Sequence, residues 1–203
     1  GHQHDAQEFA QAILNAIQEA YALYATEEDT DTSVIQRLFG GSYRITIKCL
    51  ETGSSRAREE PFLDLSVSVA EADTLEEALE KLSEPLLLTG DNALMSEELG
   101  RKTDSERRTR LQALPAVLVV TLMRYSFDPV TFQRIKLDKP FPFPLDLDVG
   151  VAVEADASPD LPRTYRLEGL VMHSGDAGSG HYFTYFRCPA PQGEGGEGGE
   201  EGE

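Results

Sequence analysis

Apolar residues recur at spacings of three and four near the start of the chain: Ala6, Phe9, Ala10, Ile13, Leu14, Ile17, Tyr21 and Tyr24. That period predicts an amphipathic helix over residues 5–24. Asp5 is placed to cap it, and Glu8, three residues on, completes a capping box. Residues 26–33 are polar and read as a loop. After Gly40-Gly41 the period shortens to two. Arg44, Ile45, Thr46, Ile47 and Lys48 alternate in a predicted strand over 43–50. Residues 51–60 read as a polar turn. A second strand is predicted over 62–69, with Leu63, Leu65, Val67 and Val69 on one face. Asp73 or Thr74 then caps a short helix carrying Leu75, Ala78, Leu79 and Leu82.

Residues 89–110 fit neither period. Residues 117–123 are almost continuously apolar, which predicts a buried strand. Residues 132–137 are expected to return beside it through an Asp128-Pro129 turn. The proline- and aspartate-rich stretch 138–162 reads as an exposed connection. Two more strands are predicted at 164–173 and 181–187, around a loop containing Gly175, Gly178 and Gly180. Residues 189–203 are Gly/Glu-rich, carry nothing to build a core, and are expected to be disordered. The class is α+β: a helix at the N-terminus, then a mostly antiparallel sheet.

Charge and cysteine content narrow the partners. The net charge is −18, and −13 without the five glutamates of the tail. Such a surface repels phosphate backbones, so nucleic acid is not an expected partner. A basic partner is favoured, although solubility alone would also explain the charge. No apolar run approaches the ~20 residues that span a bilayer, so no membrane partner is expected. At 203 residues, one domain and a monomer are expected. Cys49 and Cys188 are too few for a disulfide framework, which points to an intracellular compartment, cytoplasm or nucleus. The chain opens Gly-His-Gln-His-Asp, without a signal core or an initiator methionine, so the natural start is expected upstream.

Four segments carry the candidate chemistry. They are Gln3-His4-Asp5-Ala6-Gln7-Glu8-Phe9; Phe62-Leu63-Asp64-Leu65-Ser66-Val67; Leu114-Pro115-Ala116-Val117-Leu118-Val119-Val120 with Leu122-Met123-Arg124-Tyr125; and His173-Ser174-Gly175 with Gly180-His181-Tyr182-Phe183. In this order the set resembles the ubiquitin-specific proteases, the papain-like cysteine deubiquitinases. The resemblance implies their fold: part of a thumb in 1–30, fingers and palm strands in 40–125, and a palm with the histidine box in 126–188. It implies hydrolysis of the isopeptide or peptide bond after ubiquitin's C-terminal glycine. Ubiquitin and ubiquitinated proteins would be the partners.

Residue by residue, the resemblance makes His181 the general base and leaves His173 a supporting part. Imidazole suits proton transfer near neutral pH and stabilises a paired thiolate. Gln3, Asp5, Glu8, Arg124, Tyr125, Gly180 and Tyr182 would bind ubiquitin's basic C-terminal tail. Arginine–carboxylate pairs would be charge-assisted there. Helix capping and the helix dipole would be enough to explain Asp5 and Glu8, but binding together with capping is the favoured reading of Asp5. Gly180 would clear space for a narrow substrate tail. Tyr125 stands where the family usually has Phe. The family's cysteine box precedes the Gln3 segment and is absent from these residues, and nothing after His181 is Asp or Asn.

Neither cysteine fits the role of nucleophile. Cys188 lies seven residues beyond His181 on one predicted strand, about 23 Å away, against the ~3 Å that proton transfer needs. Cys49 falls in the fingers, where packing is the better account. Thr52 stands where a C-x-x-C pair would continue, and residues 92–102 hold no cysteine, so neither zinc nor another cofactor is expected. Three readings are weighed: a fragment of an active deubiquitinase, inactive alone; a non-catalytic ubiquitin-binding remnant; and, least favoured, a general acidic interaction domain. Loss of a preceding segment would leave the apolar face of the first helix exposed.

Overall fold

The structure, a computed structural model, describes residues 6–24, 34–128 and 130–188. Asp5, Gln3 and the Gly/Glu tail, with the capping and disorder expected of them, lie outside these residues. The elements in chain order begin with helices α1 (Ala6–Tyr24) and α2 (Val34–Phe39). A long hairpin follows, β1 (Gly41–Cys49) and β2 (Ser55–Phe62), and then β3 (Leu65–Ser68) and helix α3 (Leu75–Ser83). Short strands β4 (Leu86–Leu88), β5 (Leu94–Ser96) and β6 (Arg101–Thr103) lead into β7 (Ser105–Ala113). The C-terminal half holds β8 (Val120–Met123), β9 (Tyr125–Phe127), β10 (Arg134–Lys136), β11 (Asp146–Asp148), β12 (Thr164–Arg166), β13 (Gly169–Gly175) and β14 (Gly180–Phe186). The class is α+β, as the patterning predicts.

A four-stranded antiparallel sheet runs in the order β2-β1-β7-β4. Here β1 carries the alternation read from the sequence, with Ile45 and Cys49 buried. The predicted polar turn over 51–60 is shorter. Cys49 N–H donates to Ser54 O at 2.9 Å, Gly53 turns the chain at φ 74°, and residues from Ser55 onward form β2. That strand is charged on both faces because it is a sheet edge, so no apolar period marks it. The unplaced 89–110 region contains β5, β6 and most of β7, which fills the middle of the sheet beside β1. Its arginines and glutamates hide a strand whose order comes from pairing on both sides, not from apolar alternation.

The core lies where this sheet meets β3, α3 and the chain after β10. Leu65, Val67 and Val69 are buried on one side of β3, which the chain reaches through a bend at Leu63–Asp64. β3 pairs in parallel with β8, an exception to the expected antiparallel pairing. The apolar run 117–123 is thus half-buried: Val120 and Leu122 pack on the core while Val117 and Met123 are exposed. β10 pairs with β9, not with that run, because the chain breaks at Arg124 before pairing resumes. The predicted exposed connection 138–162 is another correction. Phe141, Leu147, Val149, Ala152, Val153 and Ala157 are all buried in it. Its apolar residues alternate with aspartates and prolines, so β11 can turn Leu147 inward and Asp146 and Asp148 outward. The predicted strand 164–173 is split, with β12 pairing to β11 and β13 to β14.

Helix α3 shows local coding at its clearest. Thr74 Oγ1 accepts from Glu77 N–H at 3.1 Å, and Leu75, Ala78 and Leu79 are buried. Helix α1 is different. Its polar side, not its apolar stripe, docks on the domain. Gln7 and Gln11, one turn apart, donate through their side-chain amides to the two oxygens of Asp64 at 2.7 and 2.6 Å. The apolar stripe faces outward, with Phe9 64% exposed and Ile13, Ile17 and Tyr21 open to solvent.

Thr74→Ala should cost about 1 kcal/mol of stability, read as a lower denaturant midpoint at constant slope. Leu79→Ala should cost about 2–5 kcal/mol in the same measurement. Asp64→Ala should raise amide exchange in α1 to the rate of a free helix while β1 and β7 stay protected. Protection of α1 unchanged in that variant would show that something other than the glutamine–carboxylate contact holds it.

Candidate active site

The two histidines stand one strand apart on the β13–β14 hairpin. The register pairs His173 with Tyr182, Ser174 with His181, and Gly175 with Gly180. Side chains alternate across a strand. His173 and Tyr182 therefore share one face of the hairpin, and His181 and Ser174 the other. His181 is exposed. Among the described residues no group bonds its imidazole.

His173 is fully engaged. The Tyr125 hydroxyl lies 3.1 Å from its Nδ1, and its ring sits 4.7 Å from that of Tyr182. Its Nε2 edge covers Gly180: a Cβ there would collide with the His173 ring and the Ser174 carbonyl. The room left by Gly180 is thus taken by His173 rather than standing open.

The loop between the strands is stapled by Asp176. Its Oδ1 accepts from the N–H groups of Gly178 and Ser179, both at 2.8 Å, and from the Ser179 hydroxyl at 3.3 Å. Those donors hold the carboxyl below the usual carboxylate range. Gly175 enters the loop at φ 131°, where a side chain would be strained. None of this loop chemistry was singled out from the sequence, although an aspartate two residues before a glycine is a recognisable turn signal.

The other site residues are placed as follows. Glu8 is exposed in the first turn of α1. Arg124 Nη1 donates to the backbone carbonyls of Leu137 and Lys139, both at 2.9 Å, tying β8 to the segment after β10. Tyr125 is half-buried beneath the Arg134 guanidinium, which lies 4.3 Å from its ring centroid. Cys188 is exposed beyond the end of β14. Cys49 is buried at the far end of β1, 3.4 Å from the Thr103 hydroxyl. Hydrogen bonds from Thr103 and Thr52 lower its thiol to about 7. It lines a cavity of about 300 Å³ with Ile47, Leu94 and Met95, to which the histidine hairpin contributes nothing. Its lowered pKa therefore does not make it the partner of His181. Among the described residues no three His, Cys, Asp or Glu side chains converge as a metal site, and no helix is long and apolar enough to cross a membrane.

Known proteins resemble this chain over most of its length. Residues 1–194 match the family model described as ubiquitin carboxyl-terminal hydrolase. Ubiquitin carboxyl-terminal hydrolase 15 of Schizosaccharomyces pombe is 28% identical over 185 residues, 91% of this chain and 16% of that protein. Human ubiquitin carboxyl-terminal hydrolase 17-like protein 5 is 29% identical over 197 residues, 95% of this chain and 36% of its own length. A chain in the SAGA Ubp8/Sgf11/Sus1/Sgf73 DUB module bound to ubiquitin aldehyde superposes with a TM-score of 0.79 at 26% identity, covering 92% of this chain and 42% of that one. The chain therefore spans less than half the length of each of these relatives. Four ordered motifs, the paired histidines and the matched fold lead to one assignment: this chain belongs to the ubiquitin carboxyl-terminal hydrolase family.

Proposed function

We propose that this chain carries the histidine side of the active centre of a thiol-dependent deubiquitinase, with His181 as general base. One contrast supports the choice of histidine. His173 is bonded and packed, whereas His181 is exposed at the end of a braced hairpin with its imidazole uncommitted among the described residues. A base must be positioned by its backbone and free at its ring. The β13–β14 register and the Asp176 staple provide the first, and the exposure provides the second.

In this reading a cysteine from outside these residues gives its proton to His181 and attacks the carbonyl carbon of ubiquitin's C-terminal glycine. The imidazolium then protonates the departing amine, and a thioester remains. Water, deprotonated by the same imidazole, cleaves the thioester and frees ubiquitin. An Asp or Asn from outside the chain orients the ring. The thumb falls in 1–30, the fingers and palm strands in 40–125, and the histidine-bearing palm in 126–188. Tyr125 and Tyr182, with Glu8, Asp5 and Gln3, line the path of ubiquitin's tail. Arg124 serves that path by holding the chain behind Tyr125, because its guanidinium is bound to two carbonyls. Gly180 serves it by seating His173.

The alternative is a non-catalytic ubiquitin-binding remnant, in which the contacts along the tail path act without turnover.

Turnover of a ubiquitin C-terminal fluorogenic amide by the full-length protein separates the two. In the first reading the protein is active, and His181→Ala lowers kcat by a factor of about 10³ or more while ubiquitin affinity stays within about threefold. Ubiquitin binding without turnover in the wild-type protein would establish the remnant. Asp176→Ala should lower kcat about tenfold by loosening the loop. Because the Asp176 carboxyl is held low in the folded state, its bracing is present above the ordinary carboxylate range. It is lost only as pH falls through that lowered value. Exchange of the Gly178 and Ser179 amides, corrected for intrinsic rates, should therefore not change between pH 7 and pH 5.

A further inference from the structure

The β13–β14 hairpin pairs with no other strand among the described residues. Arg187 N–H donates to Glu168 O at 2.9 Å. Carbonyls alternate along an antiparallel strand, so those of Leu170, Met172 and Ser174 also turn toward β14. Those of His173 and Gly175 turn away, to the open edge beside the histidine loop. Two successive carbonyls would be left without a donor there.

The Lys136 ammonium meets both, donating to His173 O at 3.2 Å and Gly175 O at 2.8 Å. The Lys136 side chain is only 11% exposed, and Asp138 lies 3.5 Å from its ammonium. A charge so covered is retained because every direction it faces offers an oxygen. Directly across the ladder from Lys136 stands Tyr125, whose hydroxyl holds the His173 ring. One cross-strand pair of the β9–β10 hairpin thus grips both the backbone and the side chain of His173. Ser174, between the two held carbonyls, is the ladder partner of His181. Gly175, at φ 131°, has no side chain to restrain it, so the bond to its carbonyl fixes the entry to the loop.

We infer that Lys136 is a positioning residue for His181: its ammonium takes the place of a third strand, holds the open edge of β13, and sets the loop from which His181 emerges. The inference rests on the reading of His181 as the base.

Lys136→Met keeps the aliphatic stem and removes the donors, and Lys136→Arg restores them. Amide exchange on the 203-residue chain reads the bracing, and turnover of a ubiquitin fluorogenic amide by the full-length protein reads the positioning. In Lys136→Met, residues 176–182 should exchange about ten- to hundredfold faster while β1 and β7 are unchanged. kcat should fall about tenfold or more with KM within about threefold. Lys136→Arg should recover most of both. Unchanged exchange in 176–182, or a rise in KM at constant kcat, overturns the inference. If Lys136→Met unfolds the chain, Lys136→Gln, which keeps a shorter donor, is read by the same two outcomes. A wild-type protein without turnover defeats the reading of His181 as base, while the exchange measurement still decides whether Lys136 holds the loop.

Discussion

Burial of β3 is the constraint on which the remaining architecture depends. Leu65, Val67 and Val69 lie at the junction of the four-stranded sheet, α3 and the chain after β10, and all three are almost completely shielded. Each buried aliphatic side chain contributes about 1.5–3 kcal/mol relative to solvent. The parallel ladder to β8 then carries this order to Arg124 and Tyr125. From there the chain reaches the histidines through polar contacts. The core cluster includes no residue of β13 or β14.

That transition from apolar to polar support divides the domain. The four-stranded sheet and the β3–α3 core are held by burial. Helix α1 and the histidine hairpin are held by a few directed bonds: Gln7 and Gln11 on Asp64, Tyr125 on His173, Lys136 on two carbonyls. Large apolar residues on both stay open: Phe9 and Ile13 on the helix, Val171 and Phe186 on the His173 face of the hairpin, and Tyr185 on its opposite face. Directed bonds at a surface open at lower free energy than a buried core. Among the described residues, the helix that carries Glu8 and the hairpin that carries His181 are thus less deeply anchored than the core.

The two histidines divide their work by strand parity. One residue's shift along β13 or β14 changes the face. His173 therefore looks toward Tyr125 and packs, whereas the ladder partner of Ser174, His181, looks away and remains free. Two imidazoles of the same chemistry become a brace and a candidate base through their position in the ladder.

Much of this was legible in the chain. The period of three to four in residues 5–24, the Thr74 cap with its apolar followers, the alternation of β1 and the histidine hairpin around its glycines are all local codes. Local codes survive because they act between near neighbours. The four motifs also identified the family, since residue types at fixed spacings reflect the chemistry a site needs. Other features were decided by the tertiary structure, each for a physical reason. β2 and β7 are strands because β1 offers them a ladder, although their charges give no period. Phe141, Leu147, Val149, Ala152, Val153 and Ala157 are buried because these apolar side chains of 138–162 find the core between prolines and aspartates. α1 turns its apolar stripe outward because Asp64, more than fifty residues away, binds its glutamines. The face on which each histidine stands, and the lysine that holds the strand between them, depend on register and on contacts between strands far apart in sequence. Those are properties of the packed chain, and no local pattern encodes them.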